Sequence, residues 1–355
     1  MSLPRKKLLF LLNELAGYTL ACIEKLAALY EVDIHAVRYP VNPIAPFEFK
    51  FNNHIRYYER NDYNREQLIA LATKISPDLL FTSGWNDKDY REVSKTFKNI
   101  PVILTSDMPW LNTSKQKLAA AIGPFYFPKI FTHCWVPGEP NAVYARKLGF
   151  NEKRLLKGVY SADYDFFHQY YLQHREAKRK QFPKRFIYVG RYAELKGVRE
   201  LWKAFIELQN ELPNEWELWC LGKGEYDNEF PKHDKIRNFG FVQPKDLNKF
   251  IEQTGVFILP THYEHWGVVV HEFAAAGFPL ICSTATSAAT TFLRDAYNGF
   301  YTKPKNVQSI KDAMKKIIAL SNEELFEMGE RSAELSKQIT PETWSNTLMN
   351  LMNKN

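Results

Sequence analysis

Short apolar runs separated by helix-like stretches fill the first half of the chain and leave little choice of fold. KLLFLL, VDIHAV, DLLFTS, PVILTS and IFTHCWV read as strands, bounded by polar or Pro/Gly punctuation. Between them Tyr18 to Leu29, Arg65 to Ile75 and Pro140 to Leu148 carry helical spacing. Strand, helix and strand in repetition means βαβ units, and hence a parallel sheet covered on both faces. The rhythm breaks after Tyr160 in SADYDFFHQYYLQHREAKRKQFPKR, then restarts with RFIYVG, WELWCLG, KIRNFG, GVFILP and PLICST. A chain of 355 residues is too long for one ordinary core. The expected architecture is therefore α/β, with two doubly wound, Rossmann-like parallel-sheet domains facing across a cleft. The expected boundaries are 1–160, a basic and aromatic linker at 161–184, a second domain at 185–340, and a helix at 341–355 crossing back to the first. Ligands of such sheets bind beyond the carboxyl ends of the strands, so the cleft is the expected site.

Several classes drop out on composition. No apolar run approaches the ~20 residues of a membrane span. The opening MSLPRKKLLFLLNELAG has an apolar core of only Leu8 to Leu12 and no small-residue cleavage site, so it reads as a buried first strand and not as a signal peptide. A cytoplasmic protein is expected. Cys22, Cys134, Cys220 and Cys282 lie far apart in apolar segments and form no CxxC pair, which suits buried thiols in a reducing compartment. The net charge of +7 suggests an anionic partner. Nucleic acid is not expected: the basic residues concentrate in HREAKRKQFPKR, and zinc-finger, RNP-like and helix-turn-helix signals are missing.

The candidate chemistry lies in two loops of the second half. In YVGRYAELKGVRELWKAF a strand ends at Gly190, a short loop carries Arg191 and Lys196, and a helix begins near Gly197. Glycine lets the backbone approach closely and a helix start attracts negative charge, so two cations there would suit a diphosphate. Solvated loop charges are the competing reading. In FILPTHYEHWGVVVHEFAAAGFPLICS a loop holds His262, Glu264 and His265, and a helix starts near Gly267 with Glu272 inside it. Three chemistries compete there. Zinc would require HExxH, but His271–Glu272 is followed by Phe273, Ala274 and Ala275, so no metal is expected. A glycosidase pair would need two carboxylates about 5–10 Å apart across a sugar, and would have no use for a diphosphate loop. Recognition uses both loops: carboxylates accept from vicinal hydroxyls while the cations and free amides of Gly267 and Val268 hold phosphates. LGKG at Leu221 to Gly224 reads as a plain turn.

Taken together, GRYAELKG, LGKG, LPTHYEHWGVVVHEFAAAGFP and NGFYTKP resemble the retaining glycosyltransferases of family 4, the glycogen-synthase-like group 1 enzymes with the GT-B fold. KGVYSADYDFF also resembles the family's interdomain stretch. The likeness is specific over about 157–305 and rests mainly on topology before that. It implies a nucleotide-diphosphate-sugar donor, with UDP- or GDP-sugars foremost, and no required cofactor. Arg191 and Lys196 would stabilise the diphosphate leaving group. Glu272 would bind ribose, and Glu264 with the amides from His265 through Trp266 and Gly267 to Val268 would meet the donor sugar. The nucleobase would lie near Gly240, Phe241 and Val242. A front-face retaining mechanism needs no enzyme nucleophile. The acceptor would be a saccharide or a lipid-linked saccharide.

Three departures stand out. The family's Gly-rich first loop is reduced to Gly17 in NELAGYT. Asp107 stands about where the family often has a histidine, as a hydroxyl ligand or a mere strand-end turn. TATSAATTF lacks the usual glycine pair, which leaves Ser283, Thr284 and Thr286 either as phosphate-side donors or in a solvated loop. A catalytically silent nucleotide-sugar-binding protein is thus the alternative, and a glycosidase the third reading. Aromatics in PWLN and GPFYFP beside KQKLAAAI suggest peripheral contact with an anionic membrane, against ordinary core aromatics.

Overall fold

The computed structural model describes residues 5–41, 48 and 53–353. Its first strand, β1 (Lys6–Leu12), shows how the apolar runs are used, since Leu8 to Leu12 are all buried. Leu9 and Leu11 enter one apolar layer with Val102, Leu104 and Cys134. Leu8, Phe10 and Leu12 enter the other, with Ile34, Ile103, Trp135 and Trp344. Such alternation between two apolar layers belongs to a strand covered on both faces.

Six strands join β1: β2 (Val32–Arg38), β3 (Ile55–Glu59), β4 (Leu79–Ser83), β5 (Val102–Thr105), β6 (His133–Val136) and β7 (Leu155–Lys157). All pairs are parallel, in the order β3-β2-β1-β4-β5-β6-β7. Helices α1 (Gly17–Leu29), α2 (Arg65–Ile75), α3 (Lys88–Thr96), α4 (Ser114–Ile130) and α5 (Glu139–Lys147) connect them. A second all-parallel sheet runs β10-β9-β8-β11-β12-β13. Its strands are β8 (Arg185–Val189), β9 (Glu217–Leu221), β10 (Ile236–Gly240), β11 (Val256–Leu259), β12 (Leu280–Ser283) and β13 (Gly299–Thr302). With it come α6 (Tyr164–Lys180), α7 (Val198–Glu211), α8 (Asn248–Gln253), α9 (Val268–Ala275), α10 (Ala289–Phe292), α11 (Val307–Ile318) and α12 (Asn322–Ser336). Side chains cap several of the helix starts: Ser321 and Glu324 form a reciprocal box that satisfies two orphan amides at the head of α12.

The chain divides into two units, Met1–Asp163 with Ile339–Asn355, and Tyr164–Gln338. Residues 161–184, expected as a linker, are instead mostly α6, packed on α9 and α12 of the second unit. The basic residues that suggested a linker lie largely on its exposed side, while Phe167, Tyr170 and Lys178 are buried. The last helix, α13 (Pro341–Asn353), packs on α1 in the first unit. There Trp344 stacks on Trp135 at 5.3 Å between ring centres, and its indole N–H donates to the Val159 carbonyl at 3.0 Å. The four cysteines are free and buried. Among the described residues, no helix is long and apolar enough to cross a membrane.

In each sheet the strand order reverses once, between β1 and β4 in the first and between β8 and β11 in the second. The loops leaving those strands are where a doubly wound sheet offers a ligand crevice.

Candidate functional site at the second switch point

β8 delivers its loop under tight constraint. The buried Tyr188 hydroxyl donates to the Arg191 carbonyl at 2.8 Å, which fixes the backbone that presents the exposed Arg191 side chain. Burial above all, then the nearby Cys220 and Glu264, holds that phenol well above its usual range, so it stays a donor. Gly190 donates its N–H to the Leu221 carbonyl at 3.0 Å. The LGKG segment is more than a plain turn. A Cβ on Gly222 would lie 1.9 Å from the Gly190 carbonyl oxygen, and one on Gly224 2.4 Å from that of Tyr192. These glycines let the ends of β8 and β9 close on each other.

The Lys196 and Glu264 loops then meet. Gly197 adopts φ 65°, and a Cβ there would sit 2.2 Å from the Pro260 carbonyl oxygen. The His262 N–H donates to the Leu195 carbonyl at 2.9 Å. Held this way, the Lys196 ammonium forms an ion pair with Glu264, both side chains about four-fifths buried (20% and 17% exposed). Gly267 at φ 90° lies against Glu264 as well, where a Cβ would come within 3.0 Å of Glu264 Cγ. Gly197 and Gly267 are the N-cap residues of α7 and α9, and neither helix has a side-chain cap. Two open helix starts and a lysine–glutamate pair thus lie on the two loops of one switch point, a surface suited to an anion flanked by hydroxyls.

Glu264 is braced from behind. Its N–H donates to the Ala285 carbonyl at 3.0 Å, and its own carbonyl accepts from the Ser287 N–H at 3.3 Å. Thr286 is fully buried and its hydroxyl meets that of Thr261 at 2.9 Å, while Ser283 Oγ accepts from the Ala285 N–H at 3.1 Å. Ser283 and Thr286 are buried and bonded within the fold, and they brace the loop from behind. Thr284 alone of the three is exposed. The sequence offered these hydroxyls as phosphate-side donors or as a solvated loop, because a Ser/Thr-rich loop gives no sign of which oxygens bond each other.

The histidines part ways. His271 is buried, stacks on Phe292 at 4.2 Å between ring centres, and bonds the Ser336 carbonyl at 2.9 Å. Burial pushes it down to about 4, so it is a neutral core residue. His262 places Nε2 3.1 Å from Glu200 in the first turn of α7, a contact the sequence did not signal. His265 is half-buried beside the Tyr263 ring, and Trp266 is buried beneath the loop with its carbonyl accepting from Ala288 N–H at 2.9 Å. Val268 opens α9, and Glu272 lies half-buried further along it.

Gly240 ends β10 at φ 67°, followed by Phe241, which is 37% exposed, and the half-buried Val242. Because β10, β8 and β11 run parallel, this stretch opens on the same edge of the sheet as Arg191 and Glu264. Gly17 and Asp107 belong to the first unit. Gly17 opens α1, with nothing within 4 Å of the position a Cβ would take. Asp107 follows β5 and hydrogen-bonds the Tyr160 hydroxyl, while its carbonyl accepts from the Asn141 amide. That makes it more than a turn residue.

Residues 172–335 match the family model of the glycosyl transferases group 1. The match spans just under half of the chain. Among curated relatives, the lipopolysaccharide core biosynthesis glycosyltransferase LpsE of Rhizobium meliloti is 29% identical over 138 residues, 37% of this chain and 38% of that one. Glycogen synthase of Mycobacterium tuberculosis is 28% identical over 143 residues, 38% of this chain and 34% of that one. The group 1 segment thus aligns with little more than a third of those relatives' length. Similarity of fold extends over the whole chain. Sucrose-phosphate synthase of Thermosynechococcus elongatus superposes with a TM-score of 0.72 at 16% identity, covering 99% of each chain. Anabaena HepE, solved in complex with UDP and glucose, gives 0.70 at 13% identity, covering 99% of this chain and 100% of that one. The two parallel sheets thus have the GT-B fold.

Proposed function

We propose that the chain is a retaining glycosyltransferase that moves a sugar from a nucleoside-diphosphate sugar to a saccharide or lipid-linked saccharide. The observation that carries this reading is the pairing of Lys196 with Glu264 across two loops that also hold two uncapped helix starts. Arg191 and Lys196 take the diphosphate and stabilise its charge as the glycosidic bond breaks; Glu264 and the amides of His265 to Val268 orient the sugar. Glu272 accepts from the ribose hydroxyls, and Gly240 to Val242 border the base. Charge stabilisation aimed at a departing group, together with positioning, supplies most of the rate in such a reaction. Retention then follows from acceptor attack on the face the leaving group departs from, with no enzyme nucleophile. In the first unit, Gly17 lies beside open space and Asp107 meets an acceptor hydroxyl.

A thermal-shift panel of UDP-, GDP- and ADP-sugars tests the donor, since a ligand bound to the native state raises its melting temperature by mass action. UDP-glucose heads the panel because HepE is solved with it. Flat melting curves across the panel would sink the reading. Glu272→Ala should weaken donor binding more than turnover at saturation. The second reading, a binder without turnover, draws on the occupation of Asp107 by Tyr160. Slow donor hydrolysis without acceptor separates the two.

A further inference from the structure

The helix after β5 is apolar on two sides, and only one of them faces the core. Gln116, Gly123, Phe127 and Ile130 are the buried side chains of α4. At 3.6 residues per turn, Leu118, Ile122 and Phe125 recur at i, i+4 and i+7 on the opposite side. They are 63%, 56% and 72% exposed, and Leu111, just ahead of the helix, is 44% exposed. Single exposed apolar residues need no explanation, but a stripe aligned along one helix does. Lys115, Lys117 and Lys129 are exposed around it. From Met108 to Gly138 the chain contains no Asp or Glu.

We infer that α4 seats this protein on an anionic lipid surface, with Leu118, Ile122 and Phe125 entering the interface and Lys115, Lys117 and Lys129 meeting phosphate headgroups. The charge pattern decides the occupant. Lysine stems run alongside an apolar stripe while their ammonium ends reach outward to phosphates, the arrangement of helices that lie in a bilayer surface. A globular partner would need a shaped patch totalling roughly 1,000 Å² or more, and a stripe three side chains long is too narrow for that. A fluid surface imposes no such shape requirement.

Seating α4 has a consequence for the acceptor. The helix leaves the β5 loop that carries Asp107 at the carboxyl edge of the first sheet. Lipid contact along α4 therefore brings Asp107 towards the membrane surface, where an acceptor carried on a lipid would present its polar head. That last step rests on the transferase reading; the lipid surface itself does not.

Co-sedimentation of the whole chain with vesicles tests it. Binding is expected to phosphatidylcholine mixed with phosphatidylglycerol, weaker to phosphatidylcholine alone, and falling as salt shortens the screening length. Leu118→Ser with Ile122→Ser and Phe125→Ser should lower partitioning about tenfold or more. Lys115→Gln with Lys117→Gln and Lys129→Gln should remove the preference for anionic lipid. Lys180→Gln, on α6, should change neither. All these side chains are exposed, so the melting temperature should hold in every variant. Absent binding, or binding equal in wild type and variants, overturns the inference. So does a lipid-free dimer that the serine variant turns into a monomer, since the face would then be a protein interface. Vesicle binding by a protein that transfers no sugar would keep the lipid surface and remove the proposed function; transfer to soluble acceptor without vesicle binding would do the reverse.

Discussion

The two switch points share one topology and are finished differently. At the second, Gly197 and Gly267 hold positive φ under direct crowding, and the loops they serve are tied by the His262–Leu195 hydrogen bond and the Lys196–Glu264 pair. At the first, Gly17 has open space beside it, and the crossing contact is the Asn13 amide donating to the Ser83 carbonyl at 2.5 Å. One crevice is fixed by its own backbone, and the other keeps room beside a helix start. Binding to the first kind costs little rearrangement, whereas the second can accept ligands of different shape.

The sharpest way to break this comparison is at the second crevice. Lys196→Ala should lower kcat/KM by about 10²–10³, the loss typical of one charge-stabilising donor. Its melting temperature should fall too, because the change leaves the four-fifths buried Glu264 carboxylate without its ion-pair partner. Asp107→Asn, at the first unit, should instead raise the acceptor KM and leave donor affinity unchanged; a matching loss of donor binding would erase the distinction. Gly197→Ala comes next: a Cβ 2.2 Å from a carbonyl oxygen, at positive φ, should lower the melting temperature by roughly 5–10 °C.

Lys178 offers a pH-dependent test away from both crevices. Its ammonium is buried, lies over the Phe278 ring at 3.7 Å and has no hydrogen-bond partner. Burial pushes it down to about 7, against 10.5 when unfolded. Between those values the unfolded chain holds more protons, so the wild type gains stability as pH rises from 7 to 10.5, and the charging penalty is complete below 7. Lys178→Met should therefore stabilise by an amount on the order of 2 kcal/mol at or below pH 7. The gain should vanish towards pH 10.5 in urea melts. The smallest effect closes the comparison: Gly17→Ala should leave stability within about 0.5 kcal/mol, and any change in acceptor or donor kinetics would then report a ligand and not the fold.

What could be read from the sequence follows the same division. Apolar runs announce buried parallel strands, because covering both faces leaves no polar alternation; KIRNFG is the exception, a largely exposed edge strand. Glycine-anchored loops announce themselves where backbone crowding leaves one residue type, as at Gly197. The brace behind Glu264 was hidden, since Thr261 and Thr286 lie 25 residues apart and only the fold pairs them. α6 was hidden too. Its exposed lysines and arginines resemble a solvated linker, and a buried face that includes a lysine defeats any reading by polarity. Asp107 showed as a departure from a pattern, but its partner Tyr160 is set by how the chain leaves β7.

Trp344 stacks against Trp135 and Phe10 and lies tilted against Phe81, in a layer that begins with Leu8. On a ribosome delivering the chain from its amino end, all of Tyr164–Gln338 emerges before that tryptophan does. The half made first is thus the half finished last, reversing the usual order in which domains fold as they appear. Until α13 arrives, Phe10, Phe81 and Trp135 lack the indole ring that completes their layer.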